Sequence, residues 1–175
     1  SSFSVVGLPF APVRSRLAAL PLTEDEPAAP QDVYALTKWL GEEMLEAFVR
    51  RTGRSAVSLR LPWIHTPETF VEQVLPLQDS PESNLHLWSW IDARDAARGF
   101  VAAAEAEISG HARLYLAAKD SFSTRPSSDL AREGWPDVSL SRPLLGHESL
   151  IDADRARKVL GFEPQHRWQD YEGVA

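Results

Sequence analysis

The chain of 175 residues contains no cysteine and only one methionine, and its acidic side chains outnumber its basic ones by 25 to 18. Without cysteine it can form no disulfide bond, thiolate zinc site or cysteine nucleophile. The net charge of −7 argues against binding to nucleic acid, because phosphate neutralisation needs clustered lysine and arginine. No apolar run approaches the roughly 18 residues of a membrane-spanning helix. We therefore expect neither a nucleic acid nor a membrane as partner.

The first residues also lack the features of a targeting sequence. The chain begins Ser1-Ser2-Phe3-Ser4, with no initiator methionine and no charged stretch ahead of an apolar one. We therefore expect a cytoplasmic protein without a signal peptide. The start without methionine also predicts that these residues are the remainder of a longer chain.

The most regular apolar pattern predicts a helix from Val33 to about Arg51. Apolar residues recur there at intervals of three and four, after the polar residue Asp32 and before Gly53. The run 56–61 is short and largely apolar and stops at Pro62, so we predict a strand. A helix followed by a short turn and a strand is typical of an α/β layered fold.

Weaker patterns predict the other elements. Short helices are expected at 66–77, 92–106, 123–133 and 152–160, and strands at 85–91 and 113–118. Asp95 stands three residues after Asp92, as in a variant of the capping box. The segment 139–150 fits neither pattern. The proline-rich residues 9–30 predict a loop with one turn around residues 14–20.

The remaining charged and histidine residues predict little chemistry. The acidic run Glu24–Glu26 is interpreted as a solvated loop. The five histidines are scattered without the spacing of a metal site, so we predict that they lie at the surface and bind no metal.

Tyr34 and Lys38 place a phenol and an ammonium group four residues apart on the first predicted helix. Side chains at this spacing share one face, with Cβ atoms roughly 5–6 Å apart. A phenol has an ordinary pKa of about 10, and a neighbouring cation favours its ionised form, which suits it to general acid–base catalysis. The same spacing also occurs on solvated helix faces, so both interpretations stay open on spacing alone.

Five segments, spread over most of the chain, occur in an order that is more specific than any one of them. They are Ser1–Gly7, Tyr34–Lys38 followed by Gly41-Glu42-Glu43, Leu59–Pro62, Trp90–Ala97 and Asp152–Pro164. Together they resemble the serine stretch, the Tyr-x-x-x-Lys helix, the following strand, a later helix entry and the closing helix of one family. This is the NAD-dependent epimerase/dehydratase family, the extended short-chain dehydrogenases.

The resemblance implies an α/β fold, namely the C-terminal part of a doubly wound Rossmann-type parallel sheet with a small α/β substrate-binding lobe. The N-terminal βαβ units of that fold are absent from this sequence. Residues 1–175 would then be one partial domain, in which residues 1–65 form the catalytic part of the Rossmann core. Residues from about 66 to 175 would combine the C-terminal substrate lobe with the last core strands.

The resemblance also implies roles for single residues. Tyr34 would be the catalytic acid or base, and Lys38 would favour its ionised form and hold the nicotinamide ribose of NAD or NADP. Ser2 would hydrogen-bond the carbonyl or alcohol of a small-molecule substrate, with a turn or N-cap role as the alternative. Pro62 would face the nicotinamide amide, or simply end a strand. The family further suggests a homodimer of the full-length protein.

Two departures from the family pattern bear on the cofactor and the substrate. No Gly-x-x-Gly-x-x-Gly motif occurs, so the residues that cradle the cofactor's pyrophosphate are not in this sequence. Trp63 stands where the family has an asparagine that helps to hold a sugar nucleotide, which argues against such a substrate. Trp63 would instead be a substrate-binding residue and wall a smaller apolar pocket with Trp88 and Trp90, or all three would fill the core.

Two hypotheses about function remain. In the first, the full-length protein is an NAD(P)-dependent oxidoreductase, epimerase or dehydratase that uses Ser2, Tyr34 and Lys38 on a small carbonyl or alcohol. In the second, these residues form a catalytically silent fragment or a binding module that lacks the pyrophosphate site.

Overall fold

Parallel strands and α-helices alternate along the computed structural model, which describes residues 1–12 and 16–171. The strands are β1 (Ala19–Leu20), β2 (Ala56–Arg60), β3 (Trp63–His65), β4 (Trp90–Asp92), β5 (His111–Tyr115) and β6 (Ser139–Leu140). The α-helices are α1 (Val33–Thr52), α2 (Pro67–Gln73), α3 (Ala93–Glu105), α4 (Ser127–Gly134) and α5 (Asp154–Leu160). Short 3₁₀ helices cover Phe3–Val6, Leu75–Leu77, Pro81–His86 and Trp168–Asp170.

The strands form three parallel pairs, as the α/β prediction requires. β2 pairs with β5 from Ala56 opposite His111 to Arg60 opposite Tyr115, β3 pairs with β4, and β1 pairs with β6. Helices lie between the paired strands in the sequence, because parallel neighbours need a crossover connection. The predicted α/β fold class with parallel strands is therefore confirmed.

Helix α1 follows its predicted bounds because both ends are determined locally. Asp32 is its N-cap and accepts a hydrogen bond from the Ala35 N–H at 2.9 Å, and Gly53 ends it with a φ of 69°. Only part of the apolar stripe that predicted the helix faces the core, since Trp39 packs against it. Leu40 and Met44 are 51% and 73% exposed, whereas Glu42 is buried. The helix therefore packs through the buried Ala35 and the partly buried Trp39 as well as through the buried carboxylate of Glu42.

The strand predicted at 85–91 is wrong for most of its length. Pro81–His86 is a 3₁₀ helix, and Leu87 and Trp88 have positive φ angles of 53° and 46°, so only the last residues belong to β4. Leu87 and Trp88 are buried in the core. The alternation in the sequence therefore reflects packing of a turn and not an extended strand.

Other predicted bounds shift by a few residues. α4 begins at Ser127 instead of 123, and α5 begins at Asp154 and ends before Gly161, whose φ is 63°. The strand predicted at 113–118 is β5, which ends at Tyr115. β3 and β6 were not expected. The turn predicted around residues 14–20 falls partly on residues 13–15, which lie outside the described residues, and β1 occupies its end.

Asp92 caps α3 as predicted, but Asp95 does not complete a capping box. Asp92 Oδ1 accepts from the Arg94 N–H at 2.7 Å. Asp95 Oδ2 instead accepts from the backbone N–H groups of Gln165 and His166, both at 3.0 Å. The Tyr171 hydroxyl donates to Asp92 at 2.6 Å, so two buried carboxylates fasten the C-terminal segment to the start of α3.

The interpretation of Glu24–Glu26 as a solvated loop is wrong for its first residue. The side chain of Glu24 is 3% exposed and accepts a hydrogen bond from the Tyr115 N–H at 2.7 Å. Burial raises the pKa of this carboxyl above its ordinary value. Arg155 lies 3.5 Å away as its ion-pair partner.

Gly99 and Gly41 provide a matched test of how closely helix α3 packs against the core. An added Cβ at Gly99 in α3 would lie 2.3 Å from Leu116 Cδ1, whereas at Gly41 in α1 nothing among the described residues lies within 4 Å. We expect Gly99→Ala to lower the free energy of unfolding by about 1–3 kcal/mol through overpacking. Gly41→Ala should raise it by about 0.5–1 kcal/mol, since alanine favours the helix. Urea unfolding measures both, and a stabilising Gly99→Ala would contradict the close packing of α3.

Candidate functional site

A cavity of about 480 Å³ brings together most of the residues that the sequence pointed to. Ser2, Tyr34, Pro62 and Trp63 all line it. Its other polar lining residues are Ser1, Ser4 and Asp32, and its other apolar ones are Phe3, Pro9, Phe10, Leu61 and Ile64. Lys38 lies outside the lining, but its Nζ is 5.3 Å from the centre of the Tyr34 ring.

Three elements meet at this cavity. The first residues run beside the end of β2, where Ser2 forms a parallel bridge with Leu61 and the Phe3 N–H donates to the Leu61 carbonyl at 3.2 Å. Tyr34 lies in the first turn of α1, just after its N-cap. Pro62 and Trp63 follow β2 directly, so strand pairing and helix capping place all three groups.

The Ser2 hydroxyl already has partners in the chain. It caps the first 3₁₀ helix by accepting from the Ser4 N–H at 3.2 Å, and it lies 2.9 Å from the Ser4 hydroxyl. The N-cap role considered for Ser2 is therefore present. Ser4 is a second hydroxyl in the cavity lining that the sequence reasoning did not single out, although it belongs to the same serine stretch.

Tyr34 presents an accessible phenol to the cavity. Its side chain is 47% exposed, and the edge of the Phe10 ring meets it at right angles, with ring centres 6.0 Å apart. Phe10 is itself 57% exposed and was not expected from the sequence. The pair forms an apolar rim beside the phenol.

The two carboxylate oxygens of Asp32 differ in their hydrogen bonding. One carboxylate oxygen caps α1, while the other is buried and has no hydrogen-bond partner among the described residues. The sequence predicted the start of the helix at Asp32 but gave no sign of the buried second oxygen.

Trp63 lines the cavity, and its ring packs against two other aromatic rings. Its ring lies 3.8 Å from the His86 ring, centre to centre, and is stacked nearly parallel to Phe122 at 6.3 Å. Trp88 and Trp90 belong to the buried core instead. Of the two interpretations of the tryptophans, the pocket wall fits Trp63 and core filling fits the other two.

Beneath the site, a buried ion pair joins α1 to β2. Arg60 Nε and Nη2 donate to the two carboxylate oxygens of Glu42, each at 2.9 Å. Arg113 Nε donates to the same carboxylate at 3.0 Å, and the Ser1 hydroxyl donates to it as well. Burial alone would raise the pKa of Glu42, but the hydrogen bonds from Arg60 and Ser1 hold it below its ordinary value.

The prediction that the histidines lie at the surface is wrong for His65 and His111. His65 is 7% exposed and the side chain of His111 only 1%. Burial also lowers the pKa of His86, to about 4. Within residues 1–12 and 16–171, no group of three or more histidine, aspartate or glutamate side chains is arranged to hold a metal ion. The same residues contain no helix long and apolar enough to cross a membrane.

Breaking the buried Glu42–Arg60 pair should lower the free energy of unfolding far more than removing the exposed Glu43–Arg113 contact. We expect Glu42→Gln to lower the free energy of unfolding by about 3–5 kcal/mol, because it leaves the buried Arg60 charge uncompensated. Glu43→Gln removes an exposed contact to Arg113 and should cost less than about 1 kcal/mol. Chemical unfolding of the two variants compares them directly, and equal losses would contradict the buried pair.

Mild acid should destabilise the fold through His86, whose ring packs against Trp63. The unfolded chain binds a proton at His86 near pH 6.5, whereas the folded protein resists it down to about pH 4, so stability is lost as the pH falls between these values. From pH 7 to pH 5 the His86 contribution to the free energy of unfolding should fall by about 2 kcal/mol.

His86→Phe keeps a ring on Trp63 and should remove this part of the pH dependence, whereas His147→Gln at an exposed position should keep it. Urea unfolding at the two pH values measures the difference. Parallel pH profiles for the wild type and His86→Phe would contradict the lowered pKa of His86.

Comparison with known proteins identifies the family of this chain. The sequence model of the NAD dependent epimerase/dehydratase family matches residues 15–117, more than half of the chain. No curated protein matches the chain.

Solved structures share the fold at low sequence identity. A UDP-galactose 4-epimerase is 19% identical with a TM-score of 0.60, and the match covers 98% of this chain and 58% of that one. UDP-glucuronic acid 4-epimerase from Bacillus cereus in complex with NAD is 18% identical with a TM-score of 0.61, over 98% and 56% of the two chains. A short-chain dehydrogenase/reductase superfamily protein from Agrobacterium tumefaciens with bound NAD is 23% identical with a TM-score of 0.62, over 97% and 62%.

This chain thus spans about three fifths of the length of these structures, and the likeness confirms its Rossmann-type fold. Family match and fold agree with the segments in the sequence, from the serine stretch to the closing helix. The chain belongs to the NAD-dependent epimerase/dehydratase family.

Proposed function

We propose that the full-length protein is an NAD(P)-dependent enzyme of the oxidoreductase, epimerase or dehydratase type that acts on a small carbonyl or alcohol. The observation that carries the proposal is the shared cavity, in which Ser2, Tyr34 and Pro62 meet while Lys38 lies against the Tyr34 ring. Family membership supports a nicotinamide cofactor, and similar structures contain NAD or NADPH. All five proposed site residues lie within residues 1–65, which we propose as the catalytic part of the Rossmann core.

Tyr34 is the proposed proton carrier. Its phenol is accessible from the cavity, and the ammonium of Lys38 is close enough to stabilise negative charge on the phenolic oxygen. Tyr34 would thus give a proton to a substrate carbonyl oxygen, or take one from an alcohol. Ser2 would hold the same oxygen by exchanging its hydrogen bond with Ser4 for one to the substrate.

The donor groups present fit one end of the cofactor. Lys38 can donate to the ribose hydroxyls next to the nicotinamide, and Pro62 lines the cavity wall where the ring would lie. A nicotinamide bound there would supply hydride transfer. The glycine-rich loop for the pyrophosphate is not part of this sequence, so we assign these residues only to the nicotinamide riboside.

The homodimer suggested by the family remains part of the proposal. Leu36, Leu40 and Met44 form an exposed apolar stripe on α1, and a second subunit would cover it.

Replacing Tyr34 by phenylalanine tests the proposed role. Tyr34→Phe should reduce turnover by at least about 10²-fold, the lower range for losing a general acid or base, while the affinity for NAD(P) stays nearly unchanged. Tyr115→Phe is the matched control, because Tyr115 is buried outside the cavity and its loss of a hydroxyl should leave turnover intact. Steady-state kinetics and cofactor titration of the full-length protein measure both effects. Unchanged turnover in Tyr34→Phe would overturn the assignment.

A further inference from the structure

We propose that Ser4 is a positioning residue for Ser2: its hydroxyl donates to Ser2 Oγ while Ser2 gives its own hydrogen to the substrate oxygen. This inference rests on the proposed function, since it adds a residue to the same cavity. It is carried by the contacts of Ser2 Oγ, which lies 2.9 Å from the Ser4 hydroxyl and 3.2 Å from the Ser4 backbone nitrogen.

The hydrogen bonds around Ser2 Oγ determine what this hydroxyl can offer to a ligand. A serine hydroxyl has one hydrogen to donate and two lone pairs that can accept. The Ser4 N–H already donates to Ser2 Oγ and occupies one lone pair. In the contact between the two hydroxyls, either oxygen can be the donor. If Ser4 donates, both lone pairs of Ser2 are occupied and its hydrogen is free for a ligand.

The chemistry proposed for Tyr34 requires Ser2 to be a donor. A carbonyl oxygen carries no hydrogen, so it can only accept from Ser2. An alcohol carries one hydroxyl hydrogen, which Tyr34 would remove, so the alcohol oxygen also has to accept from Ser2. The single hydrogen of Ser2 is therefore used by the substrate in both directions of the reaction, and the contact with Ser4 is kept only if Ser4 donates.

The surroundings of Ser4 leave its hydrogen available for this role. Ser2 and Ser4 are 5% and 2% exposed, and both line the cavity, so bulk water competes little for their hydroxyls. Within the described residues, the Ser4 hydroxyl has Ser2 as its one hydrogen-bond partner. Two donors on Ser2 Oγ would also polarise its O–H bond, because linked hydrogen bonds strengthen one another. Ser4 would thus make Ser2 a better donor as well as an oriented one.

The local backbone separates this role from a structural one. Ser2 is the N-cap of the 3₁₀ helix Phe3–Val6, and the group that it caps is the backbone N–H of Ser4. Replacing the Ser4 side chain leaves this N–H in place, so the cap persists without the Ser4 hydroxyl. The hydroxyl can therefore be removed without removing the hydrogen bond that shapes the turn.

The test measures steady-state turnover of the full-length protein with NADH or NADPH and four carbonyl probes, namely acetone, cyclohexanone, benzaldehyde and acetophenone. Ser4→Val and Ser4→Thr form a matched pair, because their side chains have nearly the same shape and only threonine keeps a hydroxyl. On the fastest probe we expect Ser4→Val to have a kcat about three- to tenfold below that of Ser4→Thr, the loss of one neutral hydrogen bond. KM should change less, since negative charge on the substrate oxygen develops in the transition state.

A double-mutant cycle with Ser2→Ala tests whether Ser4 acts through Ser2. Ser2→Ala alone should lower kcat by about 10²-fold, as expected for the loss of one donor to the substrate oxygen. In that background Ser4→Val and Ser4→Thr should turn over equally, because Ser4 then has no hydroxyl to orient. Ser89→Ala is the control, because the buried Ser89 hydroxyl donates to the Leu87 carbonyl outside the cavity and its loss should leave turnover unchanged.

The results that contradict the inference differ from those that contradict the proposed function. Equal turnover of Ser4→Val and Ser4→Thr when Ser2 is present would overturn the role of Ser4 and leave the proposed function standing. A difference between them that persists in the Ser2→Ala background would also overturn it, since Ser4 would not act through Ser2. Unchanged turnover in both Ser2→Ala and Tyr34→Phe, or no turnover of any probe by the wild type, would instead remove the proposed function.

Discussion

The bidentate pair between Glu42 and Arg60 is the contact on which the candidate site depends. It connects the middle of α1 to the last residue of β2, at the only polar side chain of that helix that is buried among the described residues. One turn before Glu42 the helix carries Lys38, and two residues after Arg60 the chain reaches Pro62. A buried ion pair adds little net stability compared with apolar packing, but its directional hydrogen bonds fix how two elements lie against each other. Here they fix the phenol-bearing helix relative to the strand that ends at the cavity.

The cavity next to this ion pair combines polar groups suited to proton transfer with apolar walls. Tyr34, Lys38 and Ser2 offer a phenol, an ammonium group and a hydroxyl, while Phe10, Trp63 and Ile64 offer apolar surface. Proton transfer is most useful where water is excluded, because charges interact more strongly in a medium of low polarity. An apolar group of a substrate would cover these walls and exclude water from the cavity. The proposed proton transfer is therefore consistent with the apolar walls of the cavity.

Local signals in the sequence predicted the elements that depend on local contacts. Asp32 and Gly53 are sufficient to bound α1, and Asp92 is sufficient to begin α3. The failures share a different cause, since each depends on residues distant in the sequence. Leu87 and Trp88 look like a strand until the core that buries them is known, and Asp95 looks like a cap until the segment at 165–166 reaches it. The family resemblance pointed to Ser2, Tyr34, Pro62 and Trp63, but Phe10 and the free oxygen of Asp32 follow only from the folded chain.

A crystal structure of the full-length protein with bound NAD or NADP is the most direct measurement. It would show whether the nicotinamide ring reaches the cavity that Ser2, Tyr34 and Pro62 line. We expect the ring against Pro62, with the Tyr34 hydroxyl beside it and Lys38 bound to the neighbouring ribose. A cofactor that binds with its nicotinamide outside this cavity would contradict the assignment of the site.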